Sequence, residues 1–150
     1  MPITVIILTQ GNELLNGSIL NTNVQYLGAE LAKYDTVILE HRCLPDDVDS
    51  IATAYTESLA KAQIVISSGG LGPTMDDCTR YACAKAFSCT LEPHVRSQTE
   101  IRAWYKKKNR SCSDAVMKMG HLPSISTAIT NPCGSAPAFS ISQEGRTLFC

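Results

Sequence analysis

Residues 64–79 decide the fold of this chain, and they read Ile64-Val65-Ile66-Ser67-Ser68-Gly69-Gly70-Leu71-Gly72-Pro73-Thr74-Met75-Asp76-Asp77-Cys78-Thr79. The stretch opens with three apolar β-branched residues, which is the composition of a strand buried on both faces. Two serines and two glycines end that strand, and a helix is predicted from Asp76 to Phe87. An apolar strand, a glycine-rich turn and a helix in this order are typical of an α/β protein.

The alternation of strand and helix also occurs upstream of this stretch. Short apolar strands are predicted at Ile3–Thr9 and Thr36–Glu40. The segments after these strands carry apolar residues at helical spacing, which are Leu20, Val24, Leu27 and Leu31, then Val48, Ile51, Tyr55 and Leu59. Asp46 or Asp47 is placed to cap the second helix. This alternation predicts parallel strands joined by crossovers, and hence an α/β layered domain.

Downstream of Phe87 the sequence predicts two more helices and three more extended segments. A helix over 93–108 has Pro93 in its first turn and cations toward its end, as the helix dipole favours. A short helix is predicted over 113–119. Extended runs follow at 127–129 and 138–141, and a turn at 143–145 leads into a last strand at 147–149.

Composition excludes several classes of protein. The 150 residues, 44% hydrophobic and 18% charged, predict one folded domain rather than a disordered segment. A net charge of -1 argues against a nucleic-acid binder. The basic run Arg102–Arg110 is either a solvated helix face or a patch that attracts phosphates. Seven cysteines without a Cys-x-x-Cys pair indicate reduced thiols in a cytoplasmic protein, and no apolar run is long enough for a membrane span.

Three segments occupy the carboxyl ends of the predicted parallel strands, where α/β sheets bind ligands. These segments are residues 10–15, 44–47 and 67–79. In the third, three glycines let the backbone approach a ligand, and the following helix start favours an anion such as phosphate. The spacing matches neither a Walker A loop nor a dinucleotide fingerprint. The turn is therefore either an anion site or a structural β–α turn.

Acidic residues accompany this glycine turn. Asp76 and Asp77 are either first-turn acids that stabilise a helix, or ligands of a divalent cation shared with a phosphate. Glu13 follows the first strand, where it either joins them or is a surface acid. The chain lacks a Gly-x-Ser-x-Gly segment and any Cys/His pair that suggests a nucleophile, which argues against covalent serine or cysteine chemistry.

Three motifs follow one another along the chain. The first is Gly11-Asn12-Glu13-Leu14-Leu15-Asn16-Gly17, with Ile19 and Asn21-Thr22-Asn23 after it. The second is Gly69-Gly70-Leu71-Gly72-Pro73-Thr74 with Asp76, Asp77 and Thr79, and the third is Asn131-Pro132 with Gly134, Ala136-Pro137 and Phe139. In order and spacing they resemble the motifs of the CinA family, the competence/damage-inducible proteins, over nearly the whole chain.

The resemblance implies a single three-layer α/β/α domain of the MoaB/Mog type, with a mostly parallel central sheet. It further implies a phosphorylated ligand of pterin or nucleotide type, a homo-oligomer, and a divalent metal (Mg, Mn or Co). The implied activity is that of an ADP-ribose pyrophosphatase, which yields AMP and ribose 5-phosphate. The alternative is a non-catalytic binding module, as in molybdenum-cofactor proteins or FAD synthases. Molybdopterin adenylylation ranks lower, because Leu71–Thr74 follows the CinA form.

The resemblance also assigns residues. It places Asp77 at the position of the functional Asp of the Mog motif, and the hydrolase hypothesis takes Asp77 and the adjacent Asp76 as catalytic. Glu13 and Asp46 match acids that the family has after the first two strands, and with Asp77 they are the expected metal ligands. The residues implied to bind the ligand are Gly11, Asn12, Ser68, Gly69, Gly70, Gly72, Thr74 and Thr79.

The chain departs from the family pattern at three positions and at its end. Ser68 replaces the usual Thr, and Asn12 replaces Thr or Asp, so both keep a small polar side chain. Ala138 replaces the usual Gly and adds a methyl where backbone would approach a ligand. The family continues into a Leu-Pro-Gly-x-Pro-x-Glu loop and an amidohydrolase domain. We therefore expect a domain truncated at Cys150, where that loop would begin.

Overall fold

The computed structural model describes residues 1–150, which form eight strands and six helices. The strands are β1 (Ile3–Gln10), β2 (Thr36–Leu44), β3 (Ile64–Ser68), β4 (Leu91–Pro93), β5 (His121–Pro123), β6 (Thr127–Ile129), β7 (Ala138–Gln143) and β8 (Arg146–Phe149). The helices are α1 (Asn12–Leu15), α2 (Thr22–Leu31), α3 (Val48–Lys61), α4 (Thr79–Ala86), α5 (Val95–Lys107) and α6 (Asp114–Lys118). The predicted α/β class is confirmed.

A six-stranded sheet in the order β2-β1-β3-β8-β7-β6 forms the centre of the domain. β1 pairs in parallel with β2 and β3, and β3 pairs in parallel with β8. β7 and β6 extend the sheet as antiparallel strands, while β4 and β5 form a separate antiparallel pair. The carboxyl ends of β1, β2 and β3 therefore meet at one edge of the sheet, as the sequence predicts.

The main hydrophobic core lies between the sheet and the helices α3 and α4. Ile6 and Leu8 of β1 are fully buried in it, as are Ile51 and Tyr55 of α3. Complete burial of one such apolar side chain stabilises the fold by about 1.5–3 kcal/mol. This core therefore fixes β1 and β3, the two strands that end at the candidate site.

Helix α2 belongs to the other layer, and its packing is looser than its sequence pattern predicts. None of its residues is fully buried, although Val24, Leu27 and Leu31 lie at helical spacing. Leu20, predicted to open that apolar stripe, precedes the helix and is 83% exposed. The layer that contains α2 is therefore packed less closely against the sheet than the layer that contains α3.

The helix starts predicted at Asp76 and Pro93 are wrong. The first helix begins at Thr79, because the Asp77 carboxylate accepts a hydrogen bond from Thr74 N at 2.8 Å and closes a turn before the helix. Pro93 is the last residue of β4 instead. Helix α5 follows with His94 as its N-cap, whose ring accepts from Ser97 N at 3.2 Å.

The other local predictions agree with the structure. Asp47 caps α3 by accepting from Ser50 N at 2.8 Å. Glu144 and Gly145 both have positive φ angles, 51° and 75°, which is the backbone of a two-residue hairpin turn between β7 and β8. No helix combines the length and the apolar composition needed to cross a membrane.

Candidate functional site

The glycine turn after β3 needs glycine for two separate reasons. Gly69 and Gly70 have φ angles of 115° and 64°, a backbone region that other residues rarely adopt. A Cβ on Gly69 would lie 2.6 Å from the backbone oxygen of Gln10, and one on Gly70 would lie 2.5 Å from Thr79 Oγ1. The turn is thus pressed against β1 on one side and against the start of α4 on the other.

Thr79, the first residue of α4, holds the turn in place. It is fully buried, and its Oγ1 donates to the carbonyl oxygen of Gly69 at 2.8 Å. Its backbone N–H donates to the carbonyl oxygen of Gly70 at 3.1 Å. In the structure this predicted ligand-binding residue is a brace for the turn.

Arg80 is a second brace, and sequence reasoning missed it. It is 3% exposed, and it donates from Nη2 to Gly72 O at 3.3 Å and from Nη1 to the carbonyl oxygen of Lys118. Its Nε has no hydrogen-bond partner, and burial lowers the pKa of the guanidinium. The side chain ties the glycine loop to the end of α6. No sequence pattern marks a buried arginine among ordinary helix residues.

A buried polar triangle lies where β1 and β3 end. Gln10 Nε2 donates to Tyr55 OH at 2.8 Å and to Ser67 Oγ at 2.6 Å, and the two hydroxyl oxygens are 2.8 Å apart. Gln10 Oε1 has no partner. Sequence reasoning placed Gln10 and Ser67 in two of the strand-end segments and Tyr55 in an apolar stripe, but it did not predict that the three side chains meet. The triangle fixes β1 against β3 just before the glycine turn.

Asp77 and Asp76 differ in their surroundings. The Asp77 carboxylate accepts from the backbone N–H and the hydroxyl of Thr74, and a Cβ on Gly72 would lie 2.6 Å from its Oδ2. Asp76 is exposed, and its side chain makes no hydrogen bond or ion pair within the protein. Asp77 therefore shapes the loop that contains Gly72 and Thr74, whereas Asp76 is free to meet a ligand.

The loops after β1 and β2 are joined to each other. Asn12 N donates to Asp46 Oδ2 at 2.9 Å, and Asp46 N donates to Asn12 Oδ1 at 3.4 Å. Gly11 N donates to Leu44 O at 3.2 Å. The exposed carboxylate of Glu13 lies beside Gly11. Gly11, Asn12 and Asp46 thus form one connected unit at the site edge.

Two clefts adjoin the glycine turn. One, of about 270 Å³, is lined by Gln10, Glu13, Leu14, Ile19, Leu20, Asn21, Thr22, Asn23, Ser68 and Gly69. The other, of about 340 Å³, lies between α2 and β3 and shares Asn23 and Ser68 with the first. Asn23 Nδ2 donates to Ser68 Oγ at 2.9 Å across their boundary. These two clefts make up the groove beside the Gly69-Gly70 turn, and each is near the lower end of the range of small-ligand pockets, about 300–1,000 Å³.

Four carboxylates lie near enough to Cys78, which precedes α4, to act on its thiol through their charge. The pKa of this buried thiol is raised first by burial and then by the negative charges of Asp46, Asp47, Asp76 and Asp77. The side of the glycine loop toward the end of β2 is therefore negatively charged.

The predicted metal ligands do not form a preformed metal centre. No group of three or more His, Cys, Asp or Glu side chains is placed to hold an ion. The carboxylates of Asp46 and Asp77 already accept hydrogen bonds from Asn12 and Thr74, and that of Glu13 lies at Gly11. These three residues alone therefore do not make up a metal-binding group.

The third motif and the basic run lie beside each other rather than at the glycine turn. Asn131 accepts from Cys133 N and Gly134 N and donates to Ala136 O, so it organises its own loop. That loop and Trp104 of α5 line a small polar pocket. No hydrogen bond or ion pair connects Arg102–Arg110 with the glycine loop.

A comparison with solved structures defines the class of fold. The molybdopterin biosynthesis enzyme MoaB of Thermus thermophilus matches with a TM-score of 0.61 at 15% identity, over 98% of this chain and 79% of that chain. Identity at this level shows the fold alone, which is the MoaB/Mog-like α/β fold with helices on both sides of the sheet.

Nearer relatives define the family. The crystal structure of CinA from Thermoplasma acidophilum, a protein described as of unknown function, matches with a TM-score of 0.90 at 30% identity, over 99% of this chain and 86% of that chain. A CinA-like protein of Kosmotoga olearia is 35% identical over 142 residues, which are 95% of this chain and 34% of that protein. The family model described as probable molybdopterin binding domain matches residues 6–150. The chain belongs to the CinA family of MoaB/Mog-type molybdopterin-binding domains. It spans between about a third and about half of the length of the curated relatives it matches.

Proposed function

We propose that the domain binds a small phosphorylated ligand of pterin or nucleotide type in the groove beside the Gly69-Gly70 turn. The observation that carries the proposal is the support of this turn by buried Thr79 and Arg80 at the start of α4. Glycine backbone N–H groups at a helix start favour negative charge, and a turn held rigidly needs no rearrangement to bind it. Molybdopterin, named in the family description, is a phosphorylated pterin.

A divalent metal (Mg, Mn or Co) that enters with the ligand is part of this proposal. The charges of Asp46, Asp76 and Asp77 repel a diphosphate, and a divalent ion removes that repulsion. Mg²⁺ commonly takes one or two carboxylates together with phosphate oxygens and waters. Asp77, Asp46 or Glu13 would supply the carboxylate, so a complete protein centre is not required.

The reaction we propose is hydrolysis of the diphosphate of ADP-ribose to AMP and ribose 5-phosphate. Asp76 and Asp77 would orient the water that attacks phosphorus. The N–H groups of the glycine turn would stabilise the negative charge that develops on the phosphoryl oxygens. When bound, a divalent ion supplies charge neutralisation and makes water more acidic.

A second candidate is a binding module that does not turn its ligand over. One observation favours it: the Asp77 carboxylate is already engaged by Thr74, and no preformed metal group accompanies it. A site of this kind would bind a phosphate, but its Asp77 carboxylate would not be free to act as a base and it would have no metal group ready for catalysis. The brace of Thr79 and Arg80 serves binding equally well in both candidates.

Two measurements on the purified chain separate these candidates. The first is calorimetric titration with ADP-ribose and with a molybdopterin-type ligand, in the presence of Mg²⁺, Mn²⁺ or Co²⁺. The second is chromatographic detection of AMP released from ADP-ribose. Binding with AMP release supports the hydrolase, and binding without it supports the module. If neither ligand binds, both candidates are wrong.

A matched pair of variants tests the role of Asp77 in hydrolysis. Asp77→Asn keeps an oxygen that accepts from Thr74 but removes the charge, so the loop is retained. AMP release should fall at least about a hundredfold if Asp77 orients the water. Asp35→Asn, at an exposed acid before β2, should leave the rate unchanged. Equal activity of wild type and Asp77→Asn would remove Asp77 from the mechanism.

The setting we propose is cytoplasmic, with a homo-oligomeric assembly and without nucleic-acid or membrane partners. All seven cysteines are free thiols, which suits a reducing compartment. Light scattering on the purified chain measures the oligomeric state, and a mass equal to one chain would contradict the assembly.

A further inference from the structure

Two cysteines that are far apart in sequence face each other beneath the candidate site. The Sγ atoms of Cys83, on α4, and Cys150, directly after β8, are 3.7 Å apart. Cys83 is fully buried, and Cys150 is half-buried. No other cysteines of the chain are in such contact. Bond formation would bring these two sulfurs from 3.7 Å to the roughly 2.0 Å of a disulfide bond.

The backbone holds both residues in this arrangement. Cys150 N donates to Phe139 O, and Phe139 N donates to Cys150 O, each at 2.9 Å. Cys83 lies in the second turn of α4, and its carbonyl oxygen accepts from Phe87 N at 3.0 Å. Because strand and helix fix the two Cα positions, the contact does not depend on a mobile loop.

We infer that Cys83 and Cys150 form a disulfide site, in which a peroxide oxidises the more accessible Cys150 and Cys83 then closes the bond. The difference in burial sets the order of these two steps. Burial raises the pKa of the Cys83 thiol, and the hydrogen bond with Cys150 and its charge raise it further. Cys83 is therefore a poor target for an oxidant that arrives from solvent, because its sulfur is buried and mostly protonated. The closing step needs no such approach, because the Cys150 sulfur already lies 3.7 Å away.

The chemistry balances with hydrogen peroxide as the oxidant. The Cys150 sulfur attacks one peroxide oxygen, the O–O bond breaks, and Cys150 sulfenic acid and water are formed. The Cys83 sulfur then attacks the Cys150 sulfur, the S–O bond breaks, and the departing hydroxide takes up the Cys83 proton as a second water. Two thiols are oxidised to one disulfide, and the peroxide is reduced to two waters.

The disulfide would join two elements that support the candidate site. Helix α4 begins with Thr79, which holds the carbonyl groups of Gly69 and Gly70. Tyr55 belongs to the polar triangle under the same turn, and its pKa is raised by burial and by the charges of Cys150 and Cys83 beside it. A covalent bond between α4 and the end of β8 would therefore limit how far α4, and Thr79 with it, can move away from the glycine turn.

The test is peroxide treatment of the reduced chain, followed by alkylation of the remaining thiols and non-reducing peptide mapping. Wild-type protein should lose two of its seven alkylatable thiols and the mass of two hydrogen atoms. One new peptide should join residues 83 and 150. Its rate of formation should not change when the protein is diluted, because the reaction is intramolecular. The joined chain should also unfold at a higher temperature than the reduced chain.

Three variants serve as controls. Cys83→Ala should give no such peptide, and a sulfenic-acid reagent such as dimedone should label its Cys150. Cys150→Ser should give neither the peptide nor the label at this position. Cys133→Ser, at an exposed cysteine on another loop, should form the disulfide as wild type does.

Other outcomes would overturn the inference. One is oxidation that joins Cys83 to Cys89, which follows the C-terminal end of α4. Another is a dilution-dependent product between chains, and a third is labelling of the remaining cysteines while Cys83 and Cys150 stay alkylatable. Wild-type protein supplies all three readouts, so poor folding of a variant does not block the test.

Discussion

The glycine loop has a buried side and an exposed side, and the two are built from different chemistry. On the buried side, Thr79 and Arg80 direct hydrogen bonds to the carbonyl oxygens of Gly69, Gly70 and Gly72. On the exposed side, Asp76 has no partner in the protein. The carbonyl oxygens of the loop thus accept hydrogen bonds from its buried side. The backbone conformation is fixed, while charge is left toward solvent.

Within a few consecutive residues, the buried side chains hold the conformation of the loop and the exposed side chain is available to a ligand. The buried residues should govern the stability of the fold, because an unsatisfied buried group costs more than an exposed one. The exposed acid should govern the response to anions and metal ions and should hardly affect stability. Substitutions on the two sides can therefore be ranked, and the ranking can be tested.

The largest loss of stability is expected for Arg80→Ala. The change leaves a cavity and leaves Gly72 O and Lys118 O without these donors, so it should cost about 4 kcal/mol of unfolding free energy. Arg80→Met fills most of the space without donating and should cost less. The measurement is urea denaturation monitored by circular dichroism. Arg102→Ala, at an exposed arginine of α5, should stay within about 0.5 kcal/mol of wild type.

The next effect is expected for Gly70→Ala, compared with Gly17→Ala. Both glycines have positive φ angles, 64° and 76°, so both substitutions carry a backbone strain of about 1–2 kcal/mol. Only at Gly70 does the added Cβ meet a neighbour, Thr79 Oγ1 at 2.5 Å, whereas nothing lies within 4 Å at Gly17. Gly70→Ala should therefore cost about 1 kcal/mol more than Gly17→Ala in the same denaturation assay. Equal losses would mean that the turn is not pressed against Thr79.

A smaller effect is expected for Thr79→Val. The variant keeps the volume but removes the donor to Gly69 O, at a cost of about 1–2 kcal/mol. Thr99→Val is the matched control, because the Thr99 hydroxyl also donates to a backbone oxygen, that of Val95, but on an exposed helix surface. Its cost should stay below about 0.5 kcal/mol. Equal losses at the two threonines would show that burial does not strengthen the brace.

The sequence was sufficient to predict the six strands of the central sheet, but not the β4–β5 pair or the depth at which each helix packs. Apolar residues at helical spacing occur in both α2 and α3, yet α3 buries Ile51 and Tyr55 completely and α2 buries no residue completely. Periodicity reports which face of a helix is apolar, and it does not report how much of the sheet that face covers. Likewise, Pro93 is compatible with a helix start locally, but its pairing with His121 makes it a strand residue.

The glycines of the candidate site could be predicted from the sequence, but the side chains that hold the glycine turn in place could not. Positive φ angles leave a local trace, because glycine alone adopts them cheaply, and Gly69 and Gly70 carry that trace. The brace from Arg80 depends on α6, whose last residue lies 38 positions away, so no local pattern encodes it. The predicted helix start at Asp76 was wrong for a related reason, since the Asp77 side chain binds Thr74 rather than a helix N-terminus.

The smallest effect on stability, and the clearest effect on ligands, is expected for Asp76→Asn. An exposed side chain without partners should change the unfolding free energy by less than about 0.5 kcal/mol. Without metal, removing its negative charge should strengthen binding of ADP-ribose about twofold to threefold, because a like-charge repulsion at the surface is worth up to about 1 kcal/mol. With Mg²⁺ present the sign should reverse, because the variant loses a carboxylate that would attract the ion. Calorimetric titrations with and without Mg²⁺ measure both values, and Asp35→Asn is the control for net charge. A change of the same sign under both conditions would mean that Asp76 acts through its charge alone, and the exposed side of the loop would then have no part in holding a metal ion.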